Sequence, residues 1–121
     1  MLVFFYILNV TLLILHEIES GYEKEWEILK LPGKLTGFLL FHIPIVVILF
    51  YGFYFMIISS DLRGFISIAI GVAAFIPFLV HKIIVNKKEH FNKVISNVVI
   101  FGNMLFGTGS IIIGILEITG R

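Results

Sequence analysis

The sequence predicts an all-α protein, a four-transmembrane-helix bundle whose first helix extends into the cytoplasmic interface. Three observations carry this. Apolar stretches recur four times at near-membrane length, 59% of the 121 residues are hydrophobic, and only 14% are charged. With a mean hydropathy of +1.06, the chain has too little polar surface for a water-soluble domain of its size. The whole chain, residues 1–121, reads as one integral membrane domain with spans at about 2–20, 35–60, 64–81 and 94–117.

A helix rising about 1.5 Å per residue needs about 20 residues to cross a hydrocarbon core about 30 Å thick. Leu35 to Ser60 is apolar apart from Thr36, His42 and the terminal serines, and Val94 to Glu117 is similar with two asparagines. Gly64 to Val80 is slightly short and borrows residues at its ends. The first stretch is uncharged only from Leu2 to Leu15, roughly 21 Å of helix, so crossing draws His16, Glu17 and Glu19 toward the interface. It has no positively charged leader and no small-residue cleavage site, and it reads as a retained span. Pro32-Gly33 ends the helical pattern that Tyr22 to Leu29 continues.

Charge sets the expected orientation. Lys24, Lys30 and Lys34 lie between spans one and two, and Lys82, Lys87, Lys88 and Lys93 lie between spans three and four. The opposite side has Arg63 and Arg121. The positive-inside rule therefore places both termini outside and the lysine-bearing connections in the cytoplasm. The net charge of +1 is scattered and offers no nucleic-acid surface, and the absence of Cys removes disulfides and thiolate ligands.

In this topology the four histidines gather at one side. His16 and His42 fall about 9 Å and about 10 Å inside the cytoplasmic boundary, His81 lies a little nearer the cytoplasm, and His90 opens the approach to span four. Ionisable groups at such depth usually face a bundle interior or a wet cavity. At 100° per residue Asn9, His16, Glu19, Ser20, Glu23 and Glu27 share one helix face, whereas Glu17 and Glu25 point elsewhere. His16 and Glu19, at i,i+3, are spaced either to bind one cation together or for the carboxylate to hold the imidazole by a hydrogen bond. Glu25 is expected in a solvated acidic helix, with Tyr22 and Trp26 as headgroup-level anchors.

Pro44 and Pro77 each remove a helical hydrogen bond near a histidine, so spans two and three are expected to kink at the level of the site. Ser67, Ala74 and His81 share a face of span three. In span four Glu89, Ser96, Asn103, Ser110 and Glu117 recur every seven residues beside Gly107 and Gly114. That small and polar stripe suits close helix packing, with Asn103 hydrogen-bonding a neighbouring helix. The glycines lie in a helical pattern and form no nucleotide loop.

The run from His16 through Tyr22, followed by Glu25-Trp26-Glu27, Leu31-Pro32-Gly33, Gly37-Phe38 and His42-Ile43-Pro44, resembles a family of small uncharacterised prokaryotic four-helix membrane proteins. That family carries a His-Glu-Ile-Asp, Glu-Trp-Glu, Leu-Pro-Gly signature and a second-helix His. Glu19 stands where its members more often have Asp, and His81 and the Phe91 to Ser96 spacing extend the similarity. A fainter similarity links the chain to the membrane family named for its His-x-x-Glu-Glu motif, with Ser20 in the final Glu position. The resemblance implies the fold, the polar site and a place in a prokaryotic inner or plasma membrane, and no activity.

The expected function is a cytoplasm-facing His/carboxylate pocket binding a divalent metal, Zn or Fe, and acting on a lipid-like substrate. His16, Glu19, His42 and His81 are the candidate ligands, with Glu17, Glu23 and Asn103 as supporting or replacement groups. In the alternative enzyme reading, which needs no metal, His16 and a carboxylate exchange protons with an apolar substrate in the bilayer, in the manner of a membrane isomerase. The competing class is a non-enzymatic accessory or transport protein, a homo-oligomer in the lipid bilayer, using the same residues as a proton or ion relay.

Overall fold

The computed structural model describes residues 1–85 and 89–120. Lys87, Lys88 and Arg121, which enter the charge count above, lie outside the described residues. Those described are helical or in short connections, in the order α1 (Leu2–Tyr22), α2 (Glu25–Ile28), α3 (Lys34–Ile58), α4 (Arg63–Ala73), α5 (Ile76–Phe78), a π-helical stretch (Leu79–Val85) and α6 (Val94–Thr119). Four helical segments are long and apolar enough to cross a membrane, the third being Arg63–Val85 taken through its internal break.

Three of the spans form a tight unit. α4 and α6 meet backbone to backbone along two glycine pairs. A Cβ on Gly71 would stand 2.6 Å from the Gly107 carbonyl oxygen, and one on Gly114 would stand 2.7 Å from that of Gly64. Only hydrogen in place of a side chain permits this approach, which supplies the van der Waals contact that holds helices together in lipid. α1 completes the unit antiparallel to α6. Asn9 Nδ2 donates to Ser110 Oγ at 2.6 Å and to the Phe106 carbonyl at 3.2 Å, while Glu19 near the other end meets Ser96. Ser67 Oγ adds a 2.9 Å bond to the Ser110 carbonyl. Asn9, Ser67, Ser96, Asn103 and Ser110 are all fully buried, which places the heptad stripe of α6 on the inside.

The second span is attached differently. In its most apolar window only 6% is buried, against 28–33% in the other three. Tyr6 OH donates to the Leu49 carbonyl, and Arg63 donates to the carbonyls of Met56 and Ile57 at 2.9 Å, closing the free end of α3. Toward its other end His42 meets Glu17.

The two prolines act unequally. α3 runs without interruption through Pro44, whereas span three is broken between Ala73 and Ile76, just before Pro77, and continues as the π-helical stretch that carries His81. Proline near the start of a helical segment loses no hydrogen bond it would otherwise make, so the chain restarts there at little cost. Ser67, Ala74 and His81 all point inward despite the break.

Candidate metal centre

The site forms where α1 ends. Helix α1 brings His16 and Glu17 to consecutive positions and stops at Tyr22; Lys24 then adopts a left-handed backbone with φ 51°. This turn redirects the chain, so the short α2 folds back with Trp26 against Phe38, ring centroids 5.5 Å apart. Glu25, at its first position, is buried. The expectation of a solvated Glu25 assumed one straight helix through Lys24, and the turn overrides that phase.

The geometry centres on two histidine and carboxylate contacts. His42 Nε2 lies 2.6 Å from Glu17 Oε2, and His81 Nε2 lies 3.1 Å from Glu25 Oε1. Neither is aligned as a hydrogen bond at its buried atom: Glu17 Oε2 and both ring nitrogens of His81 lack a hydrogen-bond partner among the described residues, as does His16 Nδ1. The His16 and His81 rings stand 4.9 Å apart, and His81 stacks on Phe91 at 3.7 Å. His16 Nε2 is 3.4 Å from Ser20 Oγ one turn along its helix.

His42 fixes its own protonation pattern. Its Nδ1 lies 2.7 Å from the Phe38 carbonyl, which can only accept, so Nδ1 carries the proton. In the neutral ring Nε2 then presents a lone pair to the Glu17 oxygen. Two acceptors at 2.6 Å require a cation between or on them, either a proton or a metal ion. Backbone anchoring of the second ring nitrogen is also the usual way that a metal-bound histidine is oriented.

Glu25 lies outside the spans, and its charge state reflects competing effects. Burial pushes its carboxyl up; the His81 contact, the nearby His16 and Ser20 pull it down further, leaving it below the usual carboxylate value. The folded site therefore favours the ionised carboxylate.

Beside these groups is a partly open cavity of about 240 Å³, lined by His16, Glu17, Glu25, His42 and His81 and otherwise by apolar side chains such as Leu13, Ile45, Leu49 and Pro77. It lies between α1, α3 and the broken third span.

Of the expected ligands, His16, His42 and His81 converge on this cavity. Glu19 goes elsewhere: it accepts a hydrogen bond from Ser96 on α6. Glu23 binds His90 at 2.9 Å and lies 3.8 Å from Lys93, forming a separate cluster at the connection to span four. The carboxylates at the cavity are instead Glu17 and Glu25, the two that an uninterrupted helical phase turns away from His16. Glu27 stands exposed, 4.0 Å from Lys24. Asn103 is fully buried in the α6 seam, is not part of the cavity wall, and neither of its amide atoms has a hydrogen-bond partner among the described residues.

The residues form two groups with metal-ligand chemistry, His16 with Glu25 and His81, and Glu17 with Glu25 and His42. Imidazole and carboxylate donors suit Zn or Fe(II). The unpartnered buried ring nitrogens fit such a role, because a ligand atom must keep its lone pair free.

The sequence model of a family of unknown function (DUF6713) matches residues 2–117, and the chain belongs to that family. No curated protein and no solved structure matches the chain.

Proposed function

We propose that this member of a family without a known activity is a small integral membrane protein whose His/Glu pocket faces the cytoplasm, binds a divalent metal and presents it to a lipid-like substrate. The observation that carries the reading is the convergence of buried imidazole and carboxylate groups with unused hydrogen-bonding capacity: His42 Nε2 against Glu17 Oε2, and His81 and His16 beside Glu25, each with a ring nitrogen that lacks a hydrogen-bond partner among the described residues. Such a set is costly in a membrane-level pocket unless a cation joins it. The adjoining apolar cavity supports an apolar chain as the neighbour of that ion. A bound ion would supply Lewis-acid polarisation of an oxygen or a bound water of lowered pKa. The protein's own groups hold the ligands in place through the Phe38 carbonyl and Ser20, and the cavity wall keeps bulk water from the chain-binding side.

Metal analysis of detergent-purified protein tests this. Zn or Fe should remain after stringent washing and fall at least twofold in His42→Ala. Protein that stays metal-free, even after equilibration with excess Zn(II) or Fe(II), sinks the reading. The orientation rests on lysine asymmetry, and a C-terminal reporter fusion that is active only outside the cell supports it.

A second reading keeps the same residues without metal, as a proton relay in an accessory or oligomeric transport protein. It is favoured by the buried Asn9, Ser110 and Ser67 chain, which continues polar groups through the bundle away from the histidines. Metal-free protein whose His42→Ala variant abolishes proton flux in vesicles would support it.

A further inference from the structure

The metal reading leaves open how many ions the pocket takes. In each of the two groups, one ligand atom per residue can be chosen so that all three lie within 4.8 Å of one another. Glu25 belongs to both groups, yet the five residues do not form one such cluster among those described. A single ion with bonds of about 2.0–2.1 Å cannot reach ligand atoms farther apart than about 4.2 Å, so one ion does not gather all five. A carboxylate has two oxygens and can give one to each of two ions.

We propose that the pocket holds two divalent metal ions bridged by the Glu25 carboxylate, one completed by His16 and His81 and the other by His42 and Glu17. The inference rests on the metal reading above and specifies its stoichiometry. The independent observation is His81: its side chain is 1% exposed, its Nε2 lies 3.1 Å from Glu25, and its Nδ1 has no hydrogen-bond partner among the described residues. A second such atom, Nδ1 of buried His16, lies in the same group. Ions sharing a carboxylate in working two-metal sites lie about 3.5–4 Å apart, a spacing compatible with triads of this size that share one residue.

The arrangement explains the local fold. Glu17 reaches His42 directly from α1, but Glu25 can serve both groups only because the left-handed Lys24 turns α2 back over the end of α1. With only three protein ligands each, both ions keep open positions, and the cavity supplies the space. Such a pair clamps an oxygen-bearing headgroup whose tail occupies the apolar wall.

The test counts metal in the full-length protein. Apo protein in detergent is loaded with Zn(II), desalted and assayed by elemental analysis; a parallel sample is loaded with Mn(II) for electron paramagnetic resonance. Two Zn per chain and an exchange-coupled Mn signal are expected. His81→Ala and His42→Ala should each retain one Zn, and Glu25→Ala should retain fewer than one. One Zn per chain in the wild type, with an isolated-ion Mn spectrum, overturns the dinuclear centre and leaves the metal reading standing. No bound metal overturns both. The wild-type count and spectrum decide the matter even where a variant misfolds.

Discussion

The α4/α6 seam and the attachment of α3 show two ways of holding a helix in a membrane. Along the seam, Gly64 faces Gly114 and Gly71 faces Gly107 so closely that the backbones themselves make the contact. Span two is largely exposed to its surroundings and is tied by Arg63 at one end, by Tyr6 at Leu49 and by Glu17 toward the other end. In lipid, apolar side chains gain little by leaving one apolar neighbour for another, so packing density and hydrogen bonds decide which helices are fixed. The dense seam therefore serves as scaffold. The looser side encloses the cavity, and the histidine cluster lies along the boundary between the two.

The largest break in this comparison should come from filling the seam. Gly107→Leu is expected to cost at least about 1–3 kcal/mol, because the added side chain meets Ala74 and the Gly71 carbonyl within 3 Å. Leu116→Ala, at a site 63% exposed, should stay within about 0.5 kcal/mol. Thermal unfolding in one detergent measures both, and equal losses would remove the distinction between seam and surface.

Next in size are the buried asparagines. Asn9→Ala deletes two interhelical hydrogen bonds and should destabilise by about 0.6–2 kcal/mol. Asn103→Leu should be neutral or stabilising, since its amide is fully buried without a hydrogen-bond partner among the described residues, so its removal leaves none of them unsatisfied. A large loss in Asn103→Leu would reveal a polar role that the seam's packing does not explain. Tyr6→Phe should cost about 0.5–1.5 kcal/mol and should loosen span two selectively, seen as faster hydrogen exchange around Leu49 with the α4/α6 amides unchanged.

The smallest effect is a pH dependence of the metal-free protein. Burial raises the Glu25 carboxyl, but His81 and its other neighbours outweigh this, so its folded value lies below the ordinary 4.5 or so. Its contribution is thus fully present above that ordinary value and fades as pH falls through the lower folded one. Melting temperatures between about pH 6 and pH 3 should decline less steeply in Glu25→Gln than in the wild type. Identical slopes would show that Glu25 gains nothing from its neighbours.

The site was only partly legible in the sequence. His16, His42 and His81 could be brought together from span lengths and loop charge because depth in a membrane is a linear function of position along a helix. Their carboxylate partners could not. Glu19 and Glu23 have the better phase relative to His16, yet Ser96 takes one and His90 the other. Glu25 reaches the cavity through a left-handed Lys24, a conformation normally marked by glycine and here carried by a residue that gives no such signal. Glu17, off the predicted polar face, is reached from the side by His42 on a neighbouring helix.

What the sequence by itself determined is the class of fold: hydropathy sets the number of spans, lysine asymmetry sets their expected orientation, and the heptad of small and polar residues marks the face of α6 that turns inward. These are properties of one helix in its solvent, and each is read locally. Only the tertiary structure decided which carboxylate meets which histidine, that Asn103 finds no hydrogen-bond partner among the described residues, and that one side of the bundle stays loose enough to hold a cavity. Those outcomes depend on distances between separate helices, which a turn of a single residue at Lys24 is enough to rearrange.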